Sequence, residues 1–264
     1  MINEEYISVA SLSPIQFREP VGLDEYPEQH DFYVPKIGVT DDLIMQFIGA
    51  VELLNQTVIL ALVTDKGYRV LTTEVTFTET GTGSGIYYAN ATFTMGELAG
   101  LPKDTIAYFV LQNDDGSEIY ATSLWYKINP SSTGTLKKLS YVHYKNDWNI
   151  QFNGTTFNLW VECGYIPSDI RNEQDVEDFE QQNMTNEILY GDTSEVMPIT
   201  FGGVLGIPYW MARKVDMATL CSTVKLDGKE IVRIKGAKIE KTEATKTGLG
   251  VYKIDTQTTE NYLQ

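Results

Sequence analysis

His30 and His143 are the only histidines in 264 residues, and Cys163 and Cys221 are the only cysteines. These side chains carry the chemistry that runs near neutral pH: proton transfer by imidazole, and nucleophilic attack or metal binding by thiolate. Nucleophilic catalysis pairs an attacking group with a base, most often His. Neither histidine is placed for that work. His143 stands in the strand-like run Tyr141-Val142-His143-Tyr144, facing away from Val142, and reads as a structural or surface residue. His30 follows an acidic stretch where any ion pair is loose and solvated. The two cysteines read as buried free thiols in preference to a pair, because Cys packs as a small hydrophobe. With two scattered histidines they are too few for zinc.

Oxygen chemistry fares no better. Asn113-Asp114-Asp115-Gly116-Ser117-Glu118 superficially resembles a calcium loop but lacks the alternating ligand spacing and the distant Glu; it reads as a hairpin turn. Gly81, Gly83 and Gly85 alternate, yet no Lys-Ser/Thr follows and the next element is a strand, so they do not cradle phosphate. Among 36 acidic residues no carboxylate pair stands out for glycoside hydrolysis, and the run Glu173–Glu180 reads as a solvated face. No catalytic, cofactor-binding or metal-ligating residue is therefore assigned, and no cofactor is expected. The chain reads as non-enzymatic.

Aromatic side chains are what the sequence has in quantity: 16 Tyr, 10 Phe and 4 Trp. Most belong in cores, while a minority should anchor contacts with other proteins. The candidates for such contacts are Trp148, Trp160, Tyr209, Trp210 and Phe179.

The formal net charge of −16, from 20 basic and 36 acidic residues, argues against nucleic acid and against anionic membranes as partners. It is uneven: residues 1–133 hold 6 basic and 18 acidic side chains, residues 134–264 hold 14 and 18. Two surfaces facing different surroundings would explain this, as would simple solubility. Met1–Pro20 shows no secretory pattern, and the apolar run Val58–Val63 is far too short to span a bilayer. The expectation is a soluble protein made in the cytosol.

The elements that must position these residues are mostly strands. Tyr6–Leu12, His30–Ile37, Leu43–Val51, Thr57–Thr64 and Tyr68–Thr80 are candidates, with Leu71, Thr73, Val75 and Phe77 on one face of the last. Tyr87, Ala89, Ala91 and Phe93 alternate inward in the next. Thr94 and Glu97 have capping-box spacing for one helical turn, stopped by Pro102. Thr105–Gln112 and Glu118–Ile128 follow. Asn129–Gly134 is the one linker-like stretch. Beyond it come strands at Leu139–Tyr144, Asn149–Phe152 and Thr156–Tyr165, the last two separated by the turn signal Asn153-Gly154. Ser168–Gln182 reads as a short acidic helix or an extended loop. Ile188–Phe201 reads as a strand, and Tyr209–Cys221 as a helix with Pro208 near N1 and Trp210, Val215 and Leu220 as core contacts. A hairpin turning at Asp227-Gly228 and a last strand, Val251–Asp255, complete the pattern. The expected fold is mainly β: two β-sandwich-like domains with a few short helices, residues 1–129 an N-terminal β-sandwich and 135–264 a C-terminal β-rich domain.

The order Tyr108-Phe109-Val110-Leu111, Tyr120–Tyr126, Leu139–Asp147, Gly206-Ile207-Pro208-Tyr209-Trp210 and Val224–Lys229 resembles structural proteins of tailed bacteriophages that infect gut Bacteroidetes, crAss-like phages included. The likeness covers residues 100–240, is one of style and order, and carries no diagnostic motif or catalytic residue. It implies a virion protein of the neck or tail, a ring or fibre-attachment component packed against other virion proteins and forming a homo-oligomeric ring. A different reading is a carbohydrate-binding or adhesive β-sandwich module, with exposed Trp148 or Trp160 stacking on sugars. A third, an enzyme on a β scaffold, would need a concave pocket holding two carboxylates of split pKa.

Overall fold

A computed structural model describes residues 7–10, 12–18, 33–49, 56–79, 86–146, 150–180, 186–203, 205–244 and 249–258. The first half comprises β1 (Ile7–Val9), β2 (Phe17–Arg18), β3 (Lys36–Ile37), β4 (Leu43–Gly49), β5 (Val58–Thr64), β6 (Arg69–Val75), β7 (Thr78–Glu79), β8 (Tyr87–Phe93), α1 (Met95–Ala99), β9 (Thr105–Asn113), β10 (Ile119–Ser123) and β11 (Tyr126–Ile128). One sheet runs β1-β4-β8-β7. In the other, β9 pairs with β5 along one edge and with β10 and then β11 along the other. Period-2 patterning sets which faces meet. Leu43, Met45 and Phe47 of β4 and Ala89, Ala91 and Phe93 of β8 share a core with Leu60 and Leu62 of β5 and Phe109 and Leu111 of β9. Phe93 meets Phe109 across the sheets at 5.8 Å between ring centres.

Several expectations are met residue by residue. Tyr87, Ala89, Ala91 and Phe93 are buried while Asn90 is exposed. Thr94 Oγ1 accepts from the Glu97 N–H at 3.3 Å, and the Glu97 carboxylate accepts from the Thr94 N–H at 2.7 Å, which closes the capping box of α1. Several expected strands are shorter or broken. Tyr68–Thr80 breaks at Thr76-Phe77 into β6, which pairs with β5, and β7, which pairs with β8 of the other sheet. Glu118–Ile128 breaks at Leu124-Trp125, where Leu124 turns into the core. Of the described part of His30–Ile37 only Lys36–Ile37 is strand, and residues 30–32, His30 included, lie outside the described residues.

The second half comprises β12 (Leu136–Val142), β13 (Phe157–Tyr165), β14 (Arg171–Glu180), β15 (Asn186–Phe201), α2 (Tyr209–Ala218), β16 (Thr223–Leu226), β17 (Lys229–Arg233), β18 (Glu240–Ala244) and β19 (Gly250–Thr258). The protein is mainly β, as expected, but this half closes further than a sandwich. β15 pairs with both β13 and β19, so β15-β13-β12-β16-β17-β19 forms a six-stranded barrel. Asp227 and Gly228 adopt φ of 49° and 85°, the mirror-image turn that suits the β16–β17 hairpin.

Ser168–Gln182 is neither the helix nor the loop expected of it. A 3-10 turn at Pro167–Asp169 leads into β14, which pairs with β15 from Arg171↔Val196 to Glu180↔Asn186. Ile170, Val176 and Phe179 do not alternate, so the local signal of a half-buried strand is missing. The strand is specified by its ladder with β15, a pairing no local pattern records. Asn149–Phe152 also fails as a strand. Ile150 and Phe152 are buried, but both backbone groups of Gln151 are taken by the Gln46 side chain, leaving none for a ladder.

No ladder between described strands crosses Asn129–Gly134, yet the two halves share a packed seam. Trp160 of β13 is 5% exposed and belongs to the core of the first half, while Ala10, Leu12 and Tyr33 belong to that of the second. The indole lies so close over Gly38 that a Cβ there would sit 2.4 Å from Nε1. Around it Gln46 Nε2 donates to the Gln151 carbonyl at 2.9 Å, and the Gln151 N–H donates to Gln46 Oε1 at 2.6 Å. Tyr141 Oη donates to the Leu12 carbonyl, and Lys36–Glu162 and Lys138–Asp41 form ion pairs at the margin. Burying an indole of about 200 Å² stabilises by up to roughly 5 kcal/mol. A half-exposed ion pair contributes about 1 kcal/mol at most. The indole decides the seam.

Gly38→Ala should therefore destabilise the chain by about 2 kcal/mol, read as a lower urea midpoint, because the methyl and the indole cannot both fit. Combined with Trp160→Leu the two losses should be clearly less than additive. Full additivity would mean that Gly38 is not under the indole in solution.

Candidate functional site

The residues with chemical potential are each tied to a structural task. His143 Nδ1 accepts the backbone N–H of Ser222 at 3.0 Å. Ser222 Oγ in turn accepts the Tyr144 N–H at 3.0 Å and lies 3.2 Å from the Val142 carbonyl. A serine and a histidine thus lie together, but they splice β12 to the residues before β16. Cys163 and Cys221 are free and buried, and burial pushes both thiols up to about 12, which leaves them poor nucleophiles at neutral pH. In the Asn113–Glu118 turn, Asn113 Oδ1 accepts the Glu118 N–H and Asp115 Oδ1 the Ser117 N–H, holding the Asp115 carboxyl below its usual range. The loop's oxygens serve its own backbone. Among the described residues no group of three His, Cys, Asp or Glu side chains is placed to share a metal ion.

The buried polar group that sequence reasoning missed is Lys214. α2 was expected over Tyr209–Cys221 with Trp210, Val215 and Leu220 inward. It ends at Ala218, Pro208 is its N-cap, and its buried face is Met211, Ala212, Lys214, Val215 and Ala218, with Leu220 half exposed beyond its end. Lys214 Nζ donates to the Ser13 carbonyl at 2.6 Å and reaches the Ile15 carbonyl at 3.4 Å, 6.0 Å from the centre of the Trp210 ring. Two carbonyls match the two hydrogens of a neutral amine, and burial lowers this ammonium to about 7. Lys214 thereby pins the segment before β2 into the seam. An isolated Lys on a helix carries no signal that distinguishes such a role from a solvated one.

Of the expected contact residues, Tyr209 is 70% exposed at the start of α2, and Trp210 is partly buried against both cores. Trp160 serves the internal seam and offers no outer face, because the first half covers it. Phe179 lies in the β14–β15 ladder opposite Glu187. Trp148 lies outside the described residues. Of the three whose side chains are described, Tyr209 faces outward, Trp210 is half-buried and Trp160 is buried in the seam, so they form no common outer patch. Tyr144, which is 74% exposed, has His143 at 4.6 Å between ring centres and Lys145 Nζ 5.3 Å from its ring centre.

Two outward features remain among the described residues. One is the ribbon. Among the described strands, β15 pairs from Asn186 to Glu195 with β14 alone, and joins the barrel from Met197 onward. The other is an open groove of about 500 Å³ between the end of α2 and the turn after β17, walled by Leu220, Val232, Arg233, Lys235 and Lys238. Arg233 is neutralised by Asp216 at 2.7 Å. Among the described residues Lys235 and Lys238 have no ion-pair partner.

Comparison of the chain with known protein families, with curated proteins and with solved structures finds no match.

The Lys214 site makes a pH-dependent contribution whose sign is fixed. Between about 7, its value when folded, and 10.5, its ordinary value, the unfolded chain holds a proton that the folded chain does not. Stability from this site therefore rises with pH across that window, by up to about 1.4 kcal/mol per unit. Urea unfolding at pH 7.5 and pH 9 should show wild type gaining on Lys214→Met by about 1–2 kcal/mol. Parallel behaviour of the two chains would contradict a neutral, buried Lys214.

Proposed function

We propose that the chain is a non-enzymatic structural protein of a phage virion, a component of the neck or tail that joins copies of itself and neighbouring virion proteins by packing. The observation that carries this reading is the β14–β15 ribbon. A two-stranded ribbon is marginally stable in water by itself, because it has backbone pairing on one side only and no core to cover. Here its ladder runs ten residues of β14 against β15 beyond the barrel's own pairings. Among the described strands β14 pairs with β15 alone, and its other edge can accept another strand, a low-cost way for one chain to hold another. The barrel, closed through β15 and β19, has no such edge within its ring of strands. The virion setting rests on the resemblance of residues 100–240 to phage structural proteins. A projecting element that meets a different face of the next copy makes a head-to-tail contact, which gives a ring where its rotation closes.

Replacing residues 172–195 by Asn-Gly, which joins the paired residues Arg171 and Val196 through a two-residue turn, tests this directly. Light scattering after size exclusion should give a multi-copy mass for the wild type. The shortened chain should be a monomer with unchanged cooperative unfolding. A wild type that stays monomeric both alone and with its virion neighbours would overturn the reading.

A further inference from the structure

We infer that the groove between α2 and the turn after β17 is the socket for the β14–β15 ribbon of a neighbouring copy. This rests on the assembly reading above and names the contact that would make it.

Charge is the first argument. The protein is acidic overall, yet the groove presents Lys235 and Lys238, both exposed, and no acidic side chain among the described residues that line it. The ribbon is the complement: residues 171–195 contain eight acidic residues and one basic residue, Arg171. Apolar character is the second. Leu220 and Val232 stay exposed in the groove wall, and the ribbon sequence carries Val176, Phe179, Ile188, Leu189 and Tyr190 among its acids. Desolvated apolar contact under a charged margin is the usual build of a specific interface.

Geometry is the third. Met197 of β15 pairs with Thr256 of β19, and Thr256 pairs with Arg233 of β17. The ribbon's base and the last residue of β17 therefore flank β19 at one level and run apart from there: the ribbon leaves past Thr258, whereas the turn after β17 follows Asp255 toward the opposite rim. Ten extended residues project roughly 30 Å. Projection and socket are different patches of one chain, so the contact is head-to-tail and propagates around a ring or along a stack.

The experiment uses the full chain in three forms. Lys235→Glu/Lys238→Glu should raise the self-dissociation constant at least tenfold at low salt without changing thermal unfolding, since both side chains are exposed. Glu177→Lys/Asp178→Lys should weaken assembly by itself and restore it when mixed with the groove variant. The ribbon-shortened chain, which keeps its groove, should form a 1:1 complex with the groove variant, which keeps its ribbon, and the pair should grow no further. A groove variant that assembles like wild type, or a mixture that gives no complex, would overturn the socket while leaving assembly intact. A wild type that does not assemble at all would instead remove the reading on which it rests.

Discussion

One indole holds this molecule in its shape. Trp160 belongs by sequence and ladder to the barrel, yet its side chain completes the core of the sandwich, over a glycine that leaves it no clearance to spare. In exchange the barrel's core takes Ala10, Leu12 and Tyr33 from the other end of the chain. Each half is thus incomplete without residues from the other. The polar groups that this exchange buries find partners: Gln46 with Gln151, Tyr141 with Leu12, Lys214 with Ser13. Those bonds add little net stability over water, but leaving any one unmade would cost about 1–3 kcal/mol. They fix the relative setting of the halves, while the apolar exchange supplies the driving force.

A rigid seam matters because it lets one side of the molecule act on another. The barrel disposes of its sheet edges by closing, and the strands left at the ends of the sheet are β14, in the ribbon, and the short β18 against β19. Exposed edges invite indiscriminate pairing, and natural sheets blunt them with charge. The crowd of carboxylates in β14, Glu173, Asp175, Glu177, Asp178 and Glu180, fits that need. On the proposed assembly, such charge would favour docking on a basic surface over pairing with a second ribbon. The same charges that keep the free chain dispersed would then select its partner.

Much of the fold was legible locally. The alternation of Tyr87–Phe93, the capping box at Thr94 and Glu97, and the hairpin turn at Asp227-Gly228 all report short-range physics, and all hold, while Asn153-Gly154 turns the chain with positive φ but joins no pair of described strands. What stayed hidden is long-range. Barrel closure depends on β15 meeting β19, and β14 exists because β15 pairs with it. The nearest thing to a site was legible only in part. Tyr209 is exposed as a contact residue should be, but Trp160 shows that an aromatic can serve an internal seam and leave nothing outside. Lys214 and the pair Lys235 and Lys238 look alike in the sequence, and only packing makes the first a buried pin and the others free charges.

Hydrogen–deuterium exchange of the intact chain at low and high concentration tests the central claim most directly. Amides of the ribbon, residues 172–195, should exchange quickly in the dilute chain, as a ribbon without a third strand must. They should become strongly protected as concentration rises, together with residues 234–238 and with no change in the barrel strands. Ribbon amides that exchange at the same rate at every concentration would contradict the account, for then the projecting strands hold nothing.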